Sequence, residues 1–146
     1  MTHLEEMARR FGANERHRIL RCMAIGAGGL VAATAVAGGL ELILGWPVRQ
    51  PLEWLAPTPF DSYVVPGALL AGVVGGSTSL ATVAAIRRTP RWPLLVAAAG
   101  LVLTAWIVGE VALLDQPGAP TATEWLYGAV GLLLVATGVG AKHATR

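Results

Sequence analysis

Four stretches of this chain are apolar for long enough to cross a lipid bilayer, and between them the chain is broken by proline, glycine and charge. A spanning α-helix needs about 20 predominantly apolar residues, because each residue advances about 1.5 Å against a hydrocarbon core about 30 Å thick. The stretches at residues 19–45, 63–86, 92–114 and 123–141 meet that requirement. Backbone N–H and C=O groups find no water in lipid, so such segments fold as helices that satisfy their own hydrogen bonds. The expected fold class is all-α, an integral membrane four-helix bundle forming one membrane domain over residues 1–146. With 54% apolar and 14% charged residues, little sequence is left over for a separate soluble domain.

The connections carry the breakers. The first, from Trp46 to Ser62, holds Pro47, Pro51, Pro57 and Pro59, which excludes continuous helix, although Pro51 can open a short interfacial turn through Leu52 and Leu55. Arg87, Arg88, Pro90 and Arg91 make a tight second connection, and Asp115-Gln116-Pro117-Gly118 ends the third span. Thr121 or Thr123 can cap the fourth helix, where Glu124 suits the positive end of the helix dipole. Residues Met1 to Arg21 read as a polar, partly helical lead-in. The apolar run that follows begins too late and is too long for a cleaved signal peptide.

Ten of the 11 basic residues fall in the lead-in, the second connection and the C-terminal tail, leaving Arg49 alone in the other two connections. By the positive-inside rule the expected location is a bacterial inner (plasma) membrane, crossed several times, with both termini cytoplasmic. The same clustering at helix ends accounts for the basic residues without nucleic acid, which is not an expected partner. A single cysteine, Cys22, excludes an internal disulfide and a C-x-x-C redox pair. His3, His17 and His143 lie outside the spans, so no haem or intramembrane metal ligand is expected; no P-loop, dinucleotide fingerprint or Ser-His-Asp set occurs, and no cofactor is expected.

Helices in lipid associate through close backbone approach, which small residues allow. Gly67, Ala71, Gly75 and Ser79 recur every four residues along the second span, and Ala24, Gly28 and Ala32 do so in the first. This pattern serves packing within the bundle, association into a homo-oligomer, or docking to a larger membrane complex. Surrounding lipid is the remaining expected partner.

Glu41 and Glu110 are the most informative side chains, because an ionisable group in hydrocarbon must be paired, hydrated or protonated. Each lies about one turn before the same end of its span, so the two can meet, share a proton or hold a cation. Alternatively, each is hydrated near the interface or accepts hydrogen bonds from Trp106 or Tyr127. Trp54, Phe60, Tyr63, Trp125 and Tyr127 gather at that end, as a cavity lining or as an aromatic belt.

The segment Pro59-Phe60-Asp61-Ser62-Tyr63-Val64-Val65-Pro66-Gly67 resembles the P-F-x-D-Y-x-x-P-G pattern of small uncharacterised four-helix membrane proteins of actinobacterial type, with Asp61-Ser62 standing where the pattern has x-D. The resemblance extends over residues 40 to 140, takes in Trp106 and Glu110, and implies the four-helix architecture without a reaction. Asp61 is expected to cap or favour the N-terminus of the second span, with Pro66 and Gly67 in its opening turn.

Two functional expectations follow. The first is a structural or accessory subunit that packs through its small-residue ridges and needs no active site. The alternative is a small proton-coupled transporter or binder of an amphipathic ligand, using Glu41, Glu110, Trp106, Tyr127 and Asp61 in a cavity at the Trp54 end. A membrane enzyme acting on lipid or quinone comes third, because no nucleophile is paired with a base.

Overall fold

The computed structural model describes residues 3–47 and 49–144, with side chains at Met7 and from Phe11 onward. The side chain of His3 and, among the basic residues of the lead-in and the C-terminal tail, the side chains of Arg9 and Arg10 and the whole of Arg146 lie outside the described residues. The described chain is helical, and four helices are long and apolar enough to cross a membrane. They are α1 (His3–Leu44), α2 (Val64–Ile86), α3 (Trp92–Leu113) and α4 (Ala122–Ala144). Consecutive helices run antiparallel: Gly39 lies against Gly67 and Gly28 against Thr82, as Gly100 lies against Gly131 and Gly138 against Ala97. α1 packs along α2 and α3 along α4, while α2–α3 and α1–α4 contacts close the ring. Large apolar side chains such as Leu30, Leu101, Val108 and Leu132 point outward from it, as a bundle solvated by lipid requires.

The polar lead-in does not form a separate element. It continues into the first span as one helix of 42 residues, about 63 Å long at 1.5 Å per residue and so about twice the thickness of the hydrocarbon core. Nothing between His3 and Leu44 stops it: there is no proline, and glutamate and arginine are good helix formers. It ends at Gly45, which turns left-handed with φ 62° while its N–H bonds the Glu41 carbonyl at 2.8 Å.

Within α2, residues Leu70–Gly75 form a π turn. This resolves a problem of register. In a regular α-helix residues four apart advance by about 40° per step, so a four-residue ridge drifts off one face. The wider i→i+5 turn drifts the opposite way and keeps Gly67, Ala71 and Gly75 aligned on α1. The approach is close enough that a Cβ on Gly39 would lie 2.5 Å from the Gly67 carbonyl oxygen, and one on Gly75 would lie 2.8 Å from Val36 Cγ2. After Gly75 the helix is α again and its α1-facing line passes to Thr78 and Thr82. Thr82 Oγ1 is the atom that a Cβ on Gly28 would strike. Ser79, expected on this ridge, is therefore displaced from it and only half-buried. A second glycine contact joins α3 to α4, where Cβ atoms on Gly100 or Gly131 would meet the opposing backbone at 2.6 and 3.1 Å. Polar residues inside the spans bond back to their own helix: Thr78 Oγ1 donates to Val74 O at 2.7 Å and Thr104 Oγ1 to Gly100 O at 2.9 Å.

The core is uneven along the bundle. The half nearest the termini is filled by Ala24, Ala81, Ala85, Trp92, Val96, Ala99, Leu134 and Ala141. The other half holds a smaller buried set, Val31, Ala35, Val74 and Leu103. Beyond them, toward the long connections, the helices enclose a cavity.

Candidate functional site: an acidic, aromatic cavity

Val31, Val74 and Leu103 line the deep end of this cavity, which has a volume of about 670 Å³. That size and a mostly apolar lining are typical of sites for small organic molecules. The first long connection folds over its mouth. Leu52–Leu55 form a 3-10 turn, and Leu55 is buried at 3% exposure beneath it. Three hydrogen bonds hold this cover: Tyr63 Oη donates to Pro51 O at 2.8 Å, Thr58 Oγ1 to Leu55 O at 2.8 Å, and Asp115 N–H to Trp54 O at 3.1 Å. The last of these ties the two long connections together. Burial and then the negative charge of Glu110 push the pKa of the Tyr63 phenol up, which keeps it protonated as the donor to Pro51.

Three carboxyl groups line the cavity: Glu41 from α1, Glu110 from α3 and Glu124 from α4. Glu110 stands one helical turn after Trp106 on α3, and both side chains line the cavity. Glu124 is buried, and its Oε2 accepts the backbone N–H of Thr121, so Thr121 and Glu124 form one arm of a capping box at the start of α4. This bond fixes the carboxyl at the cavity wall. Among the described residues no group of three His, Cys, Asp or Glu side chains is placed to hold one metal ion. No lysine, arginine or histidine among the described residues lines the cavity.

Of the residues expected at a site, Glu41, Glu110, Trp106 and Tyr127 all line this cavity, with Trp54, Phe60 and Tyr63. Asp61 does not: it is exposed and outside the lining. It does not cap α2 either, whose N-cap residue is Tyr63, without a side-chain cap bond. Two bent residues separate Asp61 from the helix, which puts its carboxyl beyond the first-turn N–H groups. Trp125, grouped with the cavity aromatics by sequence, faces away at 69% exposure. Glu124 is the wall residue that sequence reasoning placed only at the helix dipole. The Thr-x-x-Glu spacing of Thr121 and Glu124 was the available signal.

The fold and this cavity define a class, a polytopic helical membrane protein with a covered, acidic and aromatic pocket between its helices. No protein-family model, curated protein or solved structure matches the chain.

Proposed function

We propose that this protein binds amphipathic organic cations in the cavity and exchanges them for protons. The observation that carries this reading is an apolar, aromatic cavity whose lining, among the described residues, holds three carboxyl groups and no basic side chain. A carboxyl in such surroundings is paired, hydrated or protonated, and among the described residues the lining supplies no cationic partner. An apolar body fits the Trp106, Tyr127 and Leu70 surfaces, and a cationic head gains from both the carboxylates and the aromatic faces. Each carboxyl holds a proton or neutralises the cation, but not both, and that competition is the coupling.

The charge asymmetry of the connections favours a bacterial plasma membrane with both termini cytoplasmic, so the cavity mouth opens outward. The architecture shared with the small actinobacterial-type membrane proteins named above is part of the same proposal.

Binding of tetraphenylphosphonium to the protein in nanodiscs, followed by tryptophan fluorescence, tests the reading. Glu41→Gln and Glu110→Gln are each expected to weaken binding about tenfold, equivalent to about 1.4 kcal/mol. Affinity should also rise with pH as the carboxyl groups ionise. Unchanged affinity in the double variant, or equal binding of a neutral amphiphile of the same size, would overturn it. In proteoliposomes the same variants should lose uptake driven by a proton gradient.

The accessory-subunit reading retains one supporting observation. Gly72 and Gly76 are exposed on α2, with open space where a Cβ would stand, so another helix has room to approach there. Gly67 and Gly75 are already engaged with α1 and do not report on it. Loss of membrane crosslinks in Gly76→Leu, with wild-type cation binding, would support that role.

A further inference from the structure

A second cavity, of about 710 Å³, lies at the opposite end of the bundle, between residues 11–21 of α1 and the connection from α2 to α3. Its chemistry is the reverse of the first. Arg18 and Arg21 reach it from α1 and Arg88 from the connection, against one carboxylate, Glu15. Trp92 is buried beside it, and the His17 ring meets Trp92 edge-on with centroids 5.4 Å apart. His17 Nδ1 is itself buried without a hydrogen-bond partner, an unusual state for a histidine nitrogen.

Arg88 is the most telling residue. α2 ends in a Schellman turn: Thr89 N–H bonds Ala84 O at 3.1 Å and Arg88 N–H bonds Ala85 O at 3.3 Å, with Arg88 left-handed at φ 54°. Glycine ordinarily takes that position, because a Cβ is disfavoured there. Arginine in its place gives up backbone ease and puts a guanidinium at the cavity wall. The lipid-facing surface then begins within a turn or two, with Ile19, Ile86 and Leu94 each more than half exposed.

We infer that this cavity binds the phosphate ester of an anionic phospholipid, with the headgroup among Arg18, Arg21 and Arg88 and the acyl chains along the adjoining apolar surface. Guanidinium groups match phosphate oxygens in pairs, and basic pockets at the ends of membrane helices select anionic headgroups. The apolar surface that begins at Ile19, Ile86 and Leu94 gives the glycerol backbone and acyl chains a border, which a free phosphate ion would not use. This site is independent of the acidic cavity and of any cation bound there.

The test is native mass spectrometry of the full chain in detergent, titrated with phosphatidylglycerol or phosphatidylcholine. The wild type is expected to retain one phosphatidylglycerol at least tenfold more tightly than phosphatidylcholine. Arg18→Gln, an exposed change on a helix surface, and Arg88→Gly, which suits the left-handed turn, should each lower that retention about tenfold while unfolding no earlier in lipid-free detergent. Equal retention of the two lipids, or full retention by both variants, would overturn the inference. Displacement of phosphatidylglycerol by millimolar inorganic phosphate or glycerol phosphate would also overturn it, by assigning the cavity to a soluble anion.

Discussion

Arg88 carries a backbone cost as well as a charge, and the two can be separated. A left-handed, non-glycine residue loses about 1–2 kcal/mol to steric crowding, part of which glycine returns through the entropy of the unfolded chain. Arg88→Gly is therefore expected to stabilise the lipid-free protein by up to about 1 kcal/mol, read as a higher thermal midpoint by circular dichroism in detergent. Tyr63 poses a different question, since its phenol holds the cover to Pro51. Removing that bond in Tyr63→Phe should cost about 1 kcal/mol and speed hydrogen exchange in the Leu52–Leu55 turn without affecting α4. The raised phenol pKa has a definite sign: the protonated donor persists past the ordinary titration range of tyrosine, so this contribution is complete at neutral pH and fades only as strongly alkaline pH ionises the group. Glu41 and Glu110 stood out in the sequence because carboxylates within apolar runs are rare. That Glu124 joins them in lining one cavity was not legible, since it depends on how the helices are rotated about their axes.

Helices in this protein meet where glycines let them. A Cβ on Gly39 would collide with the backbone of Gly67 and with Ala71, and backbone cannot yield as a side chain does. Gly39→Ala is expected to destabilise the bundle by at least about 1–3 kcal/mol, the usual range for overpacking. Gly72→Ala, facing open space in the same pair of helices, should be neutral or stabilising by up to about 1 kcal/mol through helix propensity. Unfolding midpoints of the two variants in one detergent give the comparison, and equal losses would contradict the assigned faces. The period-four ridge at Gly67, Ala71 and Gly75 could be read from sequence as a packing stripe. Its end before Ser79 could not, because the π turn that realigns it depends on the fit against α1.

For the whole molecule the two cavities sit at opposite ends, one acidic and covered, the other basic and bordered by apolar surface. Their chemistry follows the segregation of charge among the connections, with most basic residues at the end holding the termini. The proposed orientation is tested by labelling with a membrane-impermeant thiol reagent in a Cys22→Ser background. Asp115→Cys should react in intact cells, and Arg87→Cys only after the membrane is opened. The reverse pattern would invert the topology and direct the acidic cavity inward.

The sequence alone determined the number of helices long and apolar enough to cross a membrane, and the approximate limits of all but the first, because a backbone in lipid must satisfy its own hydrogen bonds and proline-rich breakers leave few places to stop. That constraint is local, and so it can be read residue by residue. Tertiary structure decided which helix faces meet, and with them the cavity wall: it brought in Glu124, left Asp61 outside, and joined the lead-in to the first span. Those outcomes depend on rotations of a few tens of degrees about each helix axis, set by where glycines permit backbones to touch, and no single segment carries that information.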